Sequence, residues 1–182
     1  MKFTGRKALV TGSATGLGRL IALKLAEGGA DVIVNASRSA EAAEATAAEI
    51  RAVGREAVVA IADVSDRQGA ETLARTAAPW GRLDILVNNA GVTRHAPDYA
   101  DLDALSAQDW HDVYGVNVVG PWLVMQACKD LLLKGAAAAG RPAAVLNTSS
   151  IASMRPVGSS IAYAASKAAL NAMTLYLARG LA

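Results

Sequence analysis

A tyrosine and a lysine four residues apart are the first pair in this sequence that could move a proton. On a helix Tyr163 and Lys167 would share a face. A free phenol ionises near pH 10 (about three units above neutrality), which suits proton transfer poorly. A neighbouring ammonium favours the phenolate and brings the group closer to use. Upstream stands Ser150, whose hydroxyl could hold a substrate oxygen while the phenol exchanges its proton. The set points to acid–base chemistry at a carbonyl or an alcohol.

A second set of residues could hold a phosphorylated ligand. In Thr11-Gly12-Ser13-Ala14-Thr15-Gly16-Leu17-Gly18 the glycines let backbone approach a ligand, and the helix start just beyond them suits a pyrophosphate. The glycine spacing differs from the commonest dinucleotide fingerprint, so an ordinary glycine-rich turn is the competing reading. Further on comes Asn35-Ala36-Ser37-Arg38. An NAD site places a carboxylate where Ala36 stands, to accept the ribose hydroxyls. The hydroxyl of Ser37 and the guanidinium of Arg38 suit a 2′-phosphate instead, which favours NADP(H) over NAD(H). The competing reading makes Arg38 a solvated residue at a helix start. Asp63 could accept from an adenine amino group with Val64 against the ring, or it could cap the next helix, as Asp66 also could. Asn88-Asn89-Ala90-Gly91 would let a cofactor lie against backbone, or would form a turn bonded to itself.

These segments recur at equivalent places. Short apolar runs of strand length occupy residues 8–10, 32–34, 57–61, 85–87 and 143–146, and each motif comes directly after one of them. Between the runs the spacing is helical. Leu17, Leu20, Ile21, Leu23 and Leu25 make an apolar face, and residues 42–53 form a helix that ends at Gly54. Residues 66–78 form a helix stopped by Pro79, one long helix covers 106–134, and the last covers 162–181. The alanine run between Gly135 and Gly140 reads as a loop or a frayed helix end. Continuously apolar strands are expected where both faces of a sheet are covered. The alternation predicts an α/β fold, a doubly wound parallel sheet that binds ligands at the C-terminal strand ends.

Composition narrows the classes further. The chain has 182 residues, 53% of them hydrophobic and 19% charged, enough apolar content for a packed core. Its net charge of +2 comes without a Lys/Arg cluster, which leaves nucleic-acid binding without an electrostatic footprint. No apolar run reaches the ~18 residues of a membrane span. The single cysteine, Cys128, excludes an intrachain disulfide, and His95 and His111 lack metal-ligand spacing. The expectation is a protein of the reducing cytoplasm with no metal. Cys128, Trp110 and Trp122 read as packing or interface residues, and His95 and His111 as exposed ones. Residues 151–161, with Met154, Pro156 and Val157, should wall the substrate pocket.

Taken in order, Thr11-Gly12-x-x-x-Gly16-x-Gly18, Asp63-Val64, Asn88-Asn89-Ala90-Gly91, Asn117, Ser150 and Tyr163-x-x-x-Lys167 resemble the short-chain dehydrogenase/reductase family from Arg6 to Ala182. The likeness is greatest to NADPH-linked reductases related to 3-oxoacyl-acyl-carrier-protein reductase and to sugar-alcohol dehydrogenases. The resemblance implies a Rossmann-type sheet of strand order 3-2-1-4-5 in a single domain over 1–182. It implies Tyr163 as general acid or base, Lys167 supporting it and bonding the nicotinamide ribose, and Ser150 orienting the substrate oxygen. Asn117 would hold a water in a proton relay. Gly12, Ser13, Thr15, Gly16, Leu17, Gly18, Ser37, Arg38, Asp63, Val64, Asn89, Ala90 and Gly91 would line the NADP(H) site with Tyr163 and Lys167. Substrates would be small carbonyls or alcohols, and a homodimer or homotetramer would form through the helices at 106–134 and 162–181. Two departures stand out. Thr15 occupies a position where many NADP-linked relatives carry a basic residue. The family's sixth strand, its Pro-Gly turn, its substrate loop and its seventh strand would come after Ala182. At ~30 residues per strand–helix unit these amount to roughly 60 residues or more. Hence the alternative expectation of a nucleotide-binding fragment without turnover.

Overall fold

In the computed structural model, which describes residues 2–180, five strands and six helices alternate. The strands are β1 (Lys7–Val10), β2 (Asp31–Ala36), β3 (Ala57–Ile61), β4 (Ile85–Asn88) and β5 (Ala144–Asn147). They form one parallel sheet in the order β3-β2-β1-β4-β5, the order the resemblance implies. The helices are α1 (Gly16–Glu27), α2 (Ala40–Ala52), α3 (Arg67–Ala77), α4 (Ala107–Tyr114), α5 (Gly120–Ala139) and α6 (Ile161–Gly180).

Side chains alternate across the strands, so β1 to β4 each feed two cores. Ala8, Val10, Val32 and Val34 pack with α1 and α2 through Ala22, Ala26, Ala43 and Ile50. Leu9, Ile33 and Leu86 pack on the other face with Leu73 of α3 and with Val124 and Cys128 of α5. Burying each large aliphatic side chain contributes about 1.5–3 kcal/mol. The coverage expected of every strand fails at β5, an edge strand, where Val145 and Leu146 are 37% and 53% exposed.

Three helices differ from their expected form. On α1 the buried stripe is Gly18, Ala22, Leu25 and Ala26, whereas Leu17 and Leu20 are exposed. Of the expected apolar face, Leu25 is buried and Ile21 and Leu23 pack against the core, while at Gly18 and Ala22 small residues bring the helix against the sheet. The expected long helix is broken by a π-helical segment, Gly115–Val119, between α4 and α5. Pro121 has no N–H to continue the regular ladder, and its ring crowds the preceding turn. The alanine run is the regular end of α5, capped by Gly140 at φ +62°. Gly135 there lies so close to the sheet that a Cβ would meet the Leu83 carbonyl at 2.0 Å. Leu181 falls outside the described residues.

The end of the sheet opposite the motifs is closed by two buried carboxylates. Asp84 accepts from the Lys7 N–H at 2.9 Å, from Arg6 at 2.8 Å and from Arg82 at 3.2 Å. Asp31 accepts from the Lys7 ammonium at 2.8 Å, from the Glu56 N–H at 3.0 Å and from Arg55. Burial alone would raise both acids, but these donors outweigh it and hold both carboxyls below the usual carboxylate range. Depressed folded values mean stabilisation that is present above the unfolded value of ~3.9 and is lost as the pH falls through the folded values. Urea midpoints should therefore drop steeply below about pH 4. Asp84→Asn should cost about 1–3 kcal/mol at neutral pH and flatten that acid limb; an unchanged limb would show that Asp84 is not a source of it.

Candidate active site

The C-terminal strand ends are held together by reciprocal hydrogen bonds. The buried Thr11 hydroxyl accepts the backbone N–H groups of Asn89 and Ala90, each at 3.0 Å. The Asn89 amide returns two bonds, to the Thr11 carbonyl at 3.1 Å and the Gly12 carbonyl at 3.2 Å. Asn89 thus spends its side chain tying the two loops together. Gly12 at φ +60° lies against Ala90, where a Cβ would come within 2.9 Å of the Ala90 Cα. Gly18 has still less room: a Cβ would sit 2.3 Å from the Gly12 carbonyl oxygen and 2.4 Å from the Asn89 amide nitrogen.

Helix α1 begins at this loop with no acidic residue in its first turn and no side-chain cap from Thr15. The first N–H groups of a helix lack intrahelical partners and favour an anion. Thr15, Gly16 and Leu17 are exposed there, and Gly16 has φ +57° with open space where a Cβ would be. Ser13 departs from its expected role. It is fully buried, its hydroxyl donates to the Val10 carbonyl at 2.6 Å and its N–H donates to the Asn35 carbonyl at 2.8 Å. Both of its donors are committed inside the protein.

At the ends of β2 and β3, Ser37 and Arg38 are exposed beside the buried Ala36. Asp66 caps α3 by accepting the Gly69 N–H at 2.6 Å, so capping does not fall to Asp63. Asp63 instead accepts from the Ser65 N–H at 2.9 Å and the Ser65 hydroxyl at 2.7 Å. Those two bonds and, more weakly, the charge of Arg38 hold the Asp63 carboxyl below the usual range, against an opposing contribution from burial. The Val64 side chain also departs from its expected place. It is 5% exposed and packs in the core beside Gly120.

The expected proton-transfer residues, Tyr163 and Lys167, both lie on α6. Ser160 accepts the Tyr163 N–H at 3.2 Å and so caps the first turn. Tyr163 and Lys167 share a face, with the Lys167 ammonium 5.7 Å from the centre of the phenol ring. Lys167 is 4% exposed, donates to the Thr148 carbonyl at 2.8 Å, and is pulled below its ordinary pKa by burial. Ser150 lies just beyond β5; its oxygen accepts the Ala152 N–H at 3.2 Å, which leaves its O–H to donate. Gly91 reaches the same place, since a Cβ on it would come 3.3 Å from Asn117 Oδ1 and 3.5 Å from Lys167 Nζ.

Asn117, fully buried in the π-helical segment, bonds the loop after β4 rather than its own helix. Its Oδ1 accepts the Val92 N–H at 2.9 Å, and its amide donates to the Val92 carbonyl at 2.9 Å and to Ser166 at 3.0 Å. Its side chain is fully committed. Four residues on stands Pro121, which has no N–H for a regular helical bond to the Asn117 carbonyl, and the segment is π-helical there.

Two loops lie over the rim and are joined to each other. The Ala96 N–H donates to the Ser159 carbonyl at 2.7 Å, the Tyr99 hydroxyl donates to the Gly158 carbonyl at 2.9 Å, and the hydroxyls of Thr93 and Ser159 touch. Arg94 binds Asp109 and Asp112 of α4, each at 2.8 Å, while His95 and His111 are exposed. Met154, Pro156 and Val157 line an apolar cavity of about 470 Å³ with Ala164 and Ala165. The same segment reaches the expected reacting residues: a Cβ on Gly158 would come 3.9 Å from the Tyr163 ring, and Ser160 accepts the Tyr163 N–H. Cys128 is buried, its thiol pushed up to about 12 by burial, and Trp110 stacks on Tyr114 at 6.1 Å. Among the described residues no cluster of His, Cys, Asp and Glu could hold a metal, and no helix is long and apolar enough to cross a membrane. Asn35, Ser160 and Ser166 also belong to the site, although the motif spacing does not single them out. A polar residue within an apolar strand run was the only available signal, and it pointed to Asn35 alone.

Comparison with known proteins agrees with this geometry. The defining pattern of the short chain dehydrogenases matches residues 6–182. A putative ketoacyl reductase of the granaticin polyketide synthase of Streptomyces violaceoruber is 44% identical over 172 residues, which cover 94% of this chain and 65% of that protein. A 3-oxoacyl-acyl-carrier-protein reductase of Synechocystis is 37% identical over 180 residues, 98% of this chain and 69% of that one. The crystal structure of a short chain dehydrogenase from Burkholderia cenocepacia in complex with NADP superposes with a TM-score of 0.85 at 38% identity, covering all of this chain and 70% of that one. This chain thus spans about two-thirds of the length of these relatives.

The glycines give a direct test of the packed strand ends. Gly18→Ala forces a Cβ into backbone and should cost about 1–3 kcal/mol or more. Gly16→Ala meets open space and should cost only about 1 kcal/mol of backbone strain. Chemical denaturation of both variants checks the order; a Gly16 variant less stable than the Gly18 variant would contradict it.

Proposed function

This chain belongs to the short-chain dehydrogenase/reductase family, and we propose that it transfers a hydride between NADP(H) and a carbonyl or secondary alcohol, with Tyr163 as general acid–base. The observation that carries the reading is the buried Lys167 ammonium held 5.7 Å from the Tyr163 ring centre. When bound, the nicotinamide supplies or accepts the hydride. In the reducing direction Ser150 donates its O–H to the substrate carbonyl oxygen and fixes its place. Tyr163 gives that oxygen its proton. Lys167, anchored by the Thr148 carbonyl, favours the phenolate that remains. Asn117, in the π-helical segment opposite Lys167, orders a water that returns the proton.

The site's residues suit NADP(H). Gly12, Gly16, Gly18 and Gly91 keep side chains away from a cofactor path, and the unpaired N–H groups of α1 favour a pyrophosphate. Arg38 is exposed at the end of β2, where Ala36 provides no carboxylate. Self-association through α5 and α6 belongs to the same proposal, supported by the exposed Trp122, Leu133, Leu175 and Tyr176. So does a cytoplasmic location. A second reading, nucleotide binding without turnover, is favoured by the exposure of Leu146 on β5 beside the reacting end of the sheet.

Two measurements test the proposal. NADPH oxidation against a panel of ketones should be detectable, and Tyr163→Phe should lower kcat/KM about 10²-fold or more; an unchanged rate would contradict the assigned chemistry. NADPH binding without oxidation across the panel would favour the second reading. Arg38→Ala should weaken NADPH binding roughly tenfold or more and leave NADH binding unchanged, since a charged hydrogen bond is worth ~1.5–3 kcal/mol. Equal effects on both nucleotides would remove Arg38 from the 2′-phosphate site.

A further inference from the structure

We propose that Asn35 is a positioning residue that sets the glycine-rich loop for a pyrophosphate, with Thr46 as a second tether; this rests on the nucleotide-binding reading above. Asn35 lies near the end of β2, three residues before Arg38, and is 1% exposed. Its Oδ1 accepts the Gly12 N–H at 3.0 Å. Its amide donates to the Ala60 carbonyl at 3.1 Å and the Ala62 carbonyl at 3.0 Å, with a longer contact of 3.3 Å to the Ala36 carbonyl. An N–H can only donate and a carbonyl can only accept, so these partners fix the orientation of the amide. No other side chain of this size offers one acceptor and two donors without charge. Aspartate would set a carboxylate against the carbonyls of Ala60 and Ala62, and an aliphatic residue would remove the side-chain partner of the Gly12 N–H and of both carbonyls.

The backbone of Asn35 completes the clamp. Its N–H donates to the Ser13 hydroxyl at 3.0 Å, and its carbonyl accepts the Ser13 N–H at 2.8 Å. From α2, the Thr46 hydroxyl donates to the Ala14 carbonyl at 2.9 Å. The N–H groups of Gly12 and Ser13 are thereby drawn inward. The donors left at the exposed side of the loop are those at the start of α1, around Gly16 and Leu17. Asn35 therefore determines which N–H groups the loop offers to an anion. Because it is bonded to both the loop and the end of β3, it also fixes where that anion lies relative to Arg38.

The test compares two ligands by isothermal titration calorimetry. NADPH carries both the pyrophosphate and the 2′-phosphate; adenosine 2′-monophosphate carries only the latter. Asn35→Ala should weaken NADPH at least tenfold and change adenosine 2′-monophosphate less than twofold. Thr46→Val, a milder change that keeps the clamp of Asn35, should weaken NADPH about threefold and leave the monophosphate unchanged, and it decides the matter if Asn35→Ala does not fold. Unchanged NADPH affinity in the folded variants, or equal losses for both ligands, would overturn the positioning role while the nucleotide-binding reading stands. A wild-type protein that binds neither ligand would overturn that reading and this inference together.

Discussion

Backbone N–H groups buried at a strand end must find acceptors, and two of them share one hydroxyl in this protein. Thr11 takes the N–H groups of Asn89 and Ala90, and the Asn89 amide answers with bonds to the carbonyls of Thr11 and Gly12. This exchange joins segments 78 residues apart. It also leaves no volume at Gly18 for a side chain. The path along which a dinucleotide would lie is thus bounded by backbone, because the backbones themselves are bonded to each other.

The reacting end depends on that lock through one further link. The loop that leaves Gly91 is caught at Val92 by Asn117, which is seated in the π-helical segment and in turn donates to Ser166 of α6. One residue along the same helix is Lys167, and one turn back is Tyr163. Hydrogen bonds therefore connect the glycine loop, through the β4 loop and the broken helix, to the helix that carries the proposed proton-transfer pair. The irregular helix is what allows Asn117 to face a loop instead of its own turn.

Much of this was legible in the sequence because each motif comes directly after an apolar run of strand length, and the parallel sheet brings those strand ends together. Tyr163, Lys167, Ser150, Gly12, Gly18, Asn89 and Asp63 all lie at that end of the sheet. What could not be read was the direction of individual groups. Ser13 and Val64 sit in the expected segments, yet the first is bonded inward and the second is packed in the core. Of the apolar face expected on α1, Ile21, Leu23 and Leu25 meet the core, but Leu17 and Leu20 are exposed and close packing on the sheet selected Gly18, Ala22 and Ala26 instead. Pro121 carried a signal for the helix break, because its missing N–H is a property of the residue itself. Asn35 carried a weaker one, since its partners come from three separate segments that only the fold assembles.

The proposed chemistry turns on a hydride moving between the cofactor and a carbonyl carbon that this constellation holds. Incubation of the protein with a ketone and NADPH deuterated at the transferable C4 position, followed by mass spectrometry of the product, tests this directly. Hydride transfer predicts a secondary alcohol carrying one deuterium on the former carbonyl carbon. A product alcohol without deuterium, or no alcohol across a broad ketone panel, would contradict it.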